Sequence, residues 1–387
     1  MSRRIAVVTS SRADYGFIKP VLREIVARPA LQMELLVTGS HLMKEFGRTE
    51  SEILADRFPI SARIPIGHAV ESPAGMADAL GRSISSFAQL FAACRPDILV
   101  VIADRYEMFG AAVAGVTSGL TVAHISGGDL TEGVLDDAFR HALTKLCHLH
   151  FPSNEQSAAR IRQMGEEPWR IHVVGEPSLD ALTPTEWLTD EELAQKIGID
   201  PSEWEPPLLV TLHPVTLKPE RIAAQVAHLT MVLDEYRRLI VITAANGDAG
   251  GQLINDALCA YAQRRPRTRF VKSLGWVAYA SLMRRARAMI GNSSSGLLEA
   301  PSFELPAVNV GDRQQGRLRA ANVIDVADDT SDIRTGLEQA LSDAFRERLK
   351  GLVNPYYDRR SSQKIVNVLE TVELGEQIRM KRFQICT

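Results

Sequence analysis

Short apolar runs alternate with longer amphipathic stretches along most of this chain. The runs are RIAVVTSS (4–11), QMELLVTG (32–39), PDILVVIADRYE (96–107), LTVAHISGG (120–128), HLHFPSN (148–154) and RIHVVGEP (170–177). A brief continuous apolar run bounded by polar residues is what a strand buried on both faces looks like, and such strands belong to parallel sheets covered by helices. Between the first two runs, GFIKPVLREIVARP (16–29) places Ile18, Val21, Leu22, Ile25 and Val26 at helical spacing and stops near Pro29. Strands alternating with helices predict a parallel, doubly wound α/β sheet.

The rhythm breaks over 183–206, TPTEWLTDEELAQKIGIDPSEWEP, which is acidic and carries proline near both ends. A linker with one short helix fits it. The alternation then restarts with PLLVTLHP (207–214), a helical stretch over 220–238, LIVITAAN (239–246), TRFVKSL (268–274), WVAYASLMRRARAMIGNSSSG (276–296) and PAVNVGDR (306–313). The expected organisation is therefore a Rossmann-like domain over 1–182, a linker over 183–206 and a second Rossmann-like domain over 207–360. An amphipathic C-terminal helix over 361–387 is expected to pack back on the first domain. Two open α/β sheets bind ligands at the carboxyl ends of their strands, so a cleft faced by both sheets is the expected site.

Composition narrows the classes. The 387 residues suffice for two cores, with 45% hydrophobic and 24% charged residues. A net charge of −3 offers no basic field for nucleic acid. No apolar stretch approaches the roughly 20 residues of a membrane span, and the first apolar run is too short for a signal sequence. Cys94, Cys147, Cys259 and Cys386 are widely spaced, without CxxC or zinc spacing. A cytoplasmic protein with incidental thiols and no metal is expected.

The chemistry gathers after the strands. SSRADYG (10–16) stands where a dinucleotide-binding protein would carry GxGxxG, so NAD and FAD are disfavoured. Arg12 there offers a forked cation to phosphate, or else pairs with Asp14 to order the turn. In GNSSSGLLEA (291–300), Ser293, Ser294 and Ser295 suit an anion at a helix start, and Glu299 suits sugar hydroxyls; N-capping alone would explain one serine. Asp104 and Arg105 follow a buried strand, as a cleft pair or as a structural salt bridge. His124 to His141, HISGGDLTEGVLDDAFRH, brings Asp129, Glu132, Asp136 and Asp137 together after a glycine turn. Capping explains Asp136 and Asp137, but a cluster of carboxylates that shift one another's proton affinity suits acid–base work. His213 and Arg313 close later strands, and Asn246 either caps a helix or reads a base or ribose.

In order along the chain, SRADYG, DRYE, HISGGDLTEGVLDDAFRHALTK, HPVT, AANGDAG, GNSSSGLLEA and GDRQQGR resemble the hydrolysing UDP-N-acetylglucosamine 2-epimerases of sialic-acid and related nonulosonate biosynthesis. The LTEG within the acidic stretch is closer to the members acting on N,N′-diacetylbacillosamine nucleotides of legionaminic-acid pathways. The resemblance implies a glycosyltransferase-B-like fold with the nucleotide held by the second domain. It implies anti elimination of UDP to a 2-acetamidoglycal, then addition of water to release the free sugar inverted at C2. No cofactor is implied. The partner is a UDP-sugar or a GDP-sugar, and a homodimer or homotetramer is the expected assembly.

By the same resemblance Asp104 assists the chemistry, Asp136 is the acid opening the helix, His213 meets the diphosphate and Glu299 the ribose. Arg12, Arg105, Asn246, Ser293, Ser294 and Arg313 complete the expected binding set. The chain departs from the pattern at Ala103, where glycine is usual, and at Ser126, where sialic-acid members carry glutamate. Asp129 or Glu132 is then expected to supply the missing carboxylate, or the substrate differs. The rival expectations are a glycosyltransferase on the same scaffold, a non-hydrolysing epimerase and a nucleotide-sugar sensor without turnover.

Overall fold

The computed structural model describes residues 2–44, 48–67, 73–131, 135–182, 187–215, 218–245 and 250–385. The chain forms two units. The first comprises Met1–Asp129, Asp136–Ala181 and Tyr356–Thr387, and the second Leu130–Leu135 and Leu182–Pro355.

The first unit is built on the strands β1 (Arg3–Thr9), β2 (Leu31–Thr38), β3 (Ile60–Ile64), β4 (Ile98–Ile102), β5 (Thr121–Ile125) and β6 (Leu149–Phe151). They lie in the order β3-β2-β1-β4-β5-β6, and every pair is parallel. The second unit repeats this plan with β7 (Leu208–Thr211), β8 (Ile240–Thr243), β9 (Thr268–Val271), β10 (Ala288–Gly291), β11 (Ala307–Val310) and β12 (Val323–Val326). Their order is β12-β11-β10-β7-β8-β9, again all parallel. Both are doubly wound Rossmann-like sheets, as the alternation of apolar runs predicts. Ile5, Val7, Leu35 and Val100 centre the first core, and Val210, Ile242 and Ile290 the second.

Several expectations change. RIHVVGEP is not a strand: among its residues only Ile171 bridges to His150. The run instead bends at Gly175, whose φ is +83°. The edge strands β3 and β12 do not read as apolar runs because one face of each is half exposed, with residues alternating in burial. The segment 187–206 is part of the second unit rather than a free linker. Its helix Asp190–Ile197 starts on a capping box between Thr189 and Glu192 and buries Leu193, Ala194 and Ile197. Leu188 N–H donates to Ser281 Oγ at 3.1 Å.

The C-terminal segment stays with the first unit. Helix Ser361–Thr371 buries Ile365, Val366 and Leu369. Arg3 donates to the carbonyl of Leu369 at 2.6 Å, and Arg28 pairs with Glu370. Further on, the tail is held by Arg170, whose guanidinium is wholly buried. Arg170 donates to the carbonyls of Ile378, Gln377 and Met380 at 2.6, 3.1 and 3.0 Å. Lys381 donates to the carbonyls of Thr144, Lys145 and Cys147, satisfying the end of helix Leu135–Leu146 with a cation where the helix dipole is negative.

Arg170→Met keeps the volume and removes these donors. It is expected to destabilise the chain by about 3 kcal/mol, because buried carbonyls lose their partners and Glu167 its cation. Denaturant unfolding measures the loss, and faster tryptic cleavage at Lys381 and Arg382 reports the freed tail.

Candidate active site

Each sheet has its switch point where the strand order reverses, between β1 and β4 in the first unit and between β7 and β10 in the second. Ligands of open α/β sheets bind outside the carboxyl ends of the strands at that point.

In the first unit the turn after β1 is organised by Asp14. Its buried carboxylate accepts from Ser10 N–H, Ser10 Oγ, Ser11 Oγ and Thr9 Oγ1. Asp14 thus orders the turn through hydroxyls and not through Arg12. Arg12 is exposed on the first turn of helix Arg12–Val26, with no ion pair among the described residues.

The exits of β4 and β5 carry the densest chemistry. Ile102 and Ile125 are register partners, so Ala103 and Ser126 leave the sheet side by side. Both residues sit in the left-handed region, each at φ +59°. Non-glycine residues there are strained, and such strain concentrates at functional sites. Three bonds hold the exits: Ala103 N–H to Ile125 O at 3.0 Å, Ser126 N–H to Phe151 O at 3.0 Å, and His124 Nε2 to Ala103 O at 2.7 Å. Burial pushes the His124 imidazole down to about 3, so it is neutral near pH 7 and donates as a structural tie. A side chain at Gly127 would meet His124 Nδ1 at 2.8 Å, and one at Gly128 would meet Ser157 O at 2.3 Å. The glycine turn is therefore obligatory.

Asp104 pairs with Arg140 of helix Leu135–Leu146, and Arg105 with the buried Glu107 at 3.2 Å. The Asp104–Arg105 bridge weighed from sequence does not form. Burial alone would drive the Arg140 charge off, but Asp104, Asp129, Asp137 and Asp136 outweigh it and leave the guanidinium raised above its ordinary value. Asp136 and Asp137 lie in the first turn of that helix, and His141 is 3.4 Å from Asp137. Asp129 accepts from Ser157 Oγ at 2.6 Å, which ties the turn to helix Glu155–Gln163. Glu132 and Asn246 lie outside the described residues.

In the second unit His213 and Ser293 are drawn together by Asn292. His213 N–H donates to Asn292 Oδ1 at 2.6 Å, and Asn292 Nδ2 returns a bond to His213 O at 2.8 Å. Gly291, at φ +135°, allows this approach; a Cβ there would fall 1.9 Å from Thr211 O. Arg313 and Gln314 donate to Asn292 O at 3.3 and 2.9 Å. Ser293 Oγ accepts from Ser295 N–H, while Ser294 makes no side-chain cap. The helix expected after these serines is one turn, Ser295–Leu298, too short for much dipole. Arg317 donates to Leu130 O at 2.8 Å and to Thr131 Oγ1 at 2.7 Å, both within the second unit. Glu299 is buried; burial lifts its carboxyl to about 7, only partly opposed by Ser295 and by the charge of Arg317.

The family model described as UDP-N-acetylglucosamine 2-epimerase matches residues 23–370. The chain belongs to the UDP-N-acetylglucosamine 2-epimerase family. It is 35% identical over 378 residues, 98% of each chain, to the UDP-N,N′-diacetylbacillosamine 2-epimerase (hydrolyzing) of Legionella pneumophila. It is 34% identical over 349 residues, 89% of each chain, to the GDP/UDP-N,N′-diacetylbacillosamine 2-epimerase (hydrolyzing) of Campylobacter jejuni. Among solved structures it shares the fold of the Neisseria meningitidis UDP-GlcNAc 2-epimerase bound to UDP-GlcNAc. There the TM-score is 0.81 at 19% identity, covering 95% of this chain and 99% of that one.

Within the first unit, then, Arg140 pairs with Asp104 and lies 4.0 Å from Asp137, and the charges of Asp129 and Asp136 act on the same guanidinium. Within the second, His213, Ser293 and Arg313 converge on Asn292. Sequence reasoning missed Arg140 and Asn292 as organisers, and it missed Glu176. The last is buried and accepts from Ser126 Oγ. Its sequence signal was an acid set between Gly175 and Pro177 at the end of an apolar run.

The raised Glu299 carboxyl sets a pH dependence. The folded state holds this proton more tightly than the unfolded chain, so stability is full below about 4.5 and falls as pH rises through about 7. Glu299→Gln should abolish that loss, which amounts to at most about 3 kcal/mol. Denaturant midpoints from pH 4.5 to 8 for both proteins measure it.

Proposed function

We propose that this chain is a hydrolysing nucleotide-sugar 2-epimerase whose substrate is UDP-N,N′-diacetylbacillosamine. The observation that carries the reading is the pairing of half-buried Asp104 with buried Arg140 at the strained exit of β4, in a chain of this family. The sugar assignment is supported by the names of the two relatives at 35% and 34% identity, against 30% for a Neisseria meningitidis UDP-N-acetylglucosamine 2-epimerase.

The C2–H bond breaks and its electron pair forms the C1–C2 double bond as the C1–O bond releases the diphosphate. Water then adds at C1 while C2 takes a proton on the opposite face. Asp104, oriented by Arg140, handles a proton at C2, and Asp136 takes the proton of the attacking water. In the second unit His213, Ser293, Ser294 and Arg313 bind the diphosphate, and Glu299 accepts from ribose hydroxyls. Arg12 and Arg105 add positive charge for the leaving group. Asp129, engaged by Ser157, holds the glycine turn in place.

Incubation with UDP- and GDP-sugars in D₂O tests this. Release of nucleoside diphosphate with a free sugar carrying deuterium at C2 is the expected result. Nucleotide release with protium retained at C2 overturns it, as does return of an intact epimeric nucleotide sugar. Asp104→Asn and Asp136→Asn are each expected to lower kcat by roughly 10²–10⁴-fold while UDP affinity stays within about threefold. Steady-state kinetics and calorimetric titration with UDP read the two effects.

A further inference from the structure

Inversion at C2 needs proton-handling groups on both faces of the ring, and one carboxylate cannot reach both. The exit of β5 holds a second device beside Asp104. Ser126 is half-buried, and its Oγ lies 3.1 and 3.3 Å from the two carboxylate oxygens of Glu176. The hydroxyl donates to Glu176, so its proton points at that carboxyl and the lone pairs of Oγ are directed elsewhere. Glu176 is only 2% exposed, so its own carboxylate is shielded from solvent and from any ligand of ordinary size. The Ser126 hydroxyl links it to the exit of β5.

Glu176 is also held rigidly. Its N–H donates to Tyr356 O at 2.8 Å. The preceding Gly175 packs so closely that a Cβ would meet Asp358 Cβ and Ser361 Oγ, each at 2.7 Å. Four residues on, Asp180 accepts from the N–H groups of Ser361 and Ser362 at 3.2 and 2.7 Å.

We propose that Ser126 and Glu176 form a proton relay that removes the C2 proton, with Ser126 touching the sugar and Glu176 acting through it. This rests on the epimerase reading above. In the elimination step the C2 proton passes to Ser126 Oγ as the hydroxyl proton passes to Glu176. The C–H electron pair becomes the C1–C2 double bond, and the C1–O pair departs with the diphosphate. Glu176 later returns its proton to Ser126 Oγ as the hydroxyl gives one up to solvent, which resets the pair. Asp104, having taken a proton from solvent, then delivers it to the other face of C2 and is left as the carboxylate paired with Arg140.

The test uses the full-length protein with UDP-N,N′-diacetylbacillosamine, and separately with UDP plus the corresponding 2-acetamidoglycal. Glu176→Gln keeps the shape but cannot accept the proton. Ser126→Ala leaves Glu176 in place, and alanine already occupies the same backbone conformation at Ala103. Each variant should release UDP at least 100-fold more slowly with KM within about threefold, yet hydrate the supplied glycal within about tenfold of the parent rate. The double variant should be no slower than either single one, since the two residues act as a unit. UDP release within threefold of the parent in either variant overturns the relay, and so does an equal loss of elimination and hydration. Parent enzyme that labels C2 in D₂O leaves the epimerase reading standing in those cases; parent enzyme that turns over no nucleotide sugar removes the reading itself.

Discussion

Two adjacent strands that end on non-glycine residues in the left-handed region are the constraint behind the first unit's site. Ala103 and Ser126 each hold a conformation costing on the order of 1–3 kcal/mol. Nothing local favours it. The cost is offset by ladder bonds continued past the strand ends, to Ile125 O and Phe151 O, and by the neutral His124 that ties the two exits together. The imidazole must stay neutral to serve here, because a charged ring in that buried place would be unsolvated. His124, at the head of the acidic stretch, is thus part of the frame. The groups it frames, Asp104 and Ser126, pair instead with Arg140 and Glu176.

Buried charge is treated in opposite ways in the two units. Arg140 is fully enclosed, yet four carboxylates keep it ionised, and it in turn fixes Asp104. Glu299 is equally enclosed, and bonds from Ser295 and its own backbone with the charge of Arg317 offset its burial only in part, so its carboxyl holds a proton near neutrality. Desolvation is the same penalty in both places. What differs is the number of opposite charges within reach. An arginine amid acids gives a rigid clamp, whereas a carboxyl without a close cation is left able to donate or accept as a ligand requires.

The parts of this arrangement that were legible follow from local pattern. Continuous apolar runs predicted the central strands because both faces of those strands are covered, and the motif residues fell at strand ends because that is where a doubly wound sheet opens. Edge strands such as Ile60–Ile64 escaped because one face meets solvent. Pairings escaped for another reason. Asp104 has an arginine as its immediate neighbour in sequence, but Arg105 turns to Glu107 and the partner comes from 36 residues away. Asp14 likewise passes over Arg12 for three hydroxyls. Sequence proximity proposes ion pairs, and backbone direction after a strained exit decides them.

Glu176 shows the limit most clearly. It is 50 residues from Ser126, and its position is set by Tyr356 and by the start of helix Ser361–Thr371, some 180 residues further on. The same C-terminal segment ends by threading Lys381 onto the last turn of helix Leu135–Leu146, whose other end carries Asp136 and, one turn in, Arg140. The return of the chain to the first unit is thus more than a way of covering an apolar face. It fixes both the carboxylate behind Ser126 and the helix that clamps Asp104. A sequence read locally marks out Asp104 and Ser126, while what stands behind each is positioned by a stretch far along the chain.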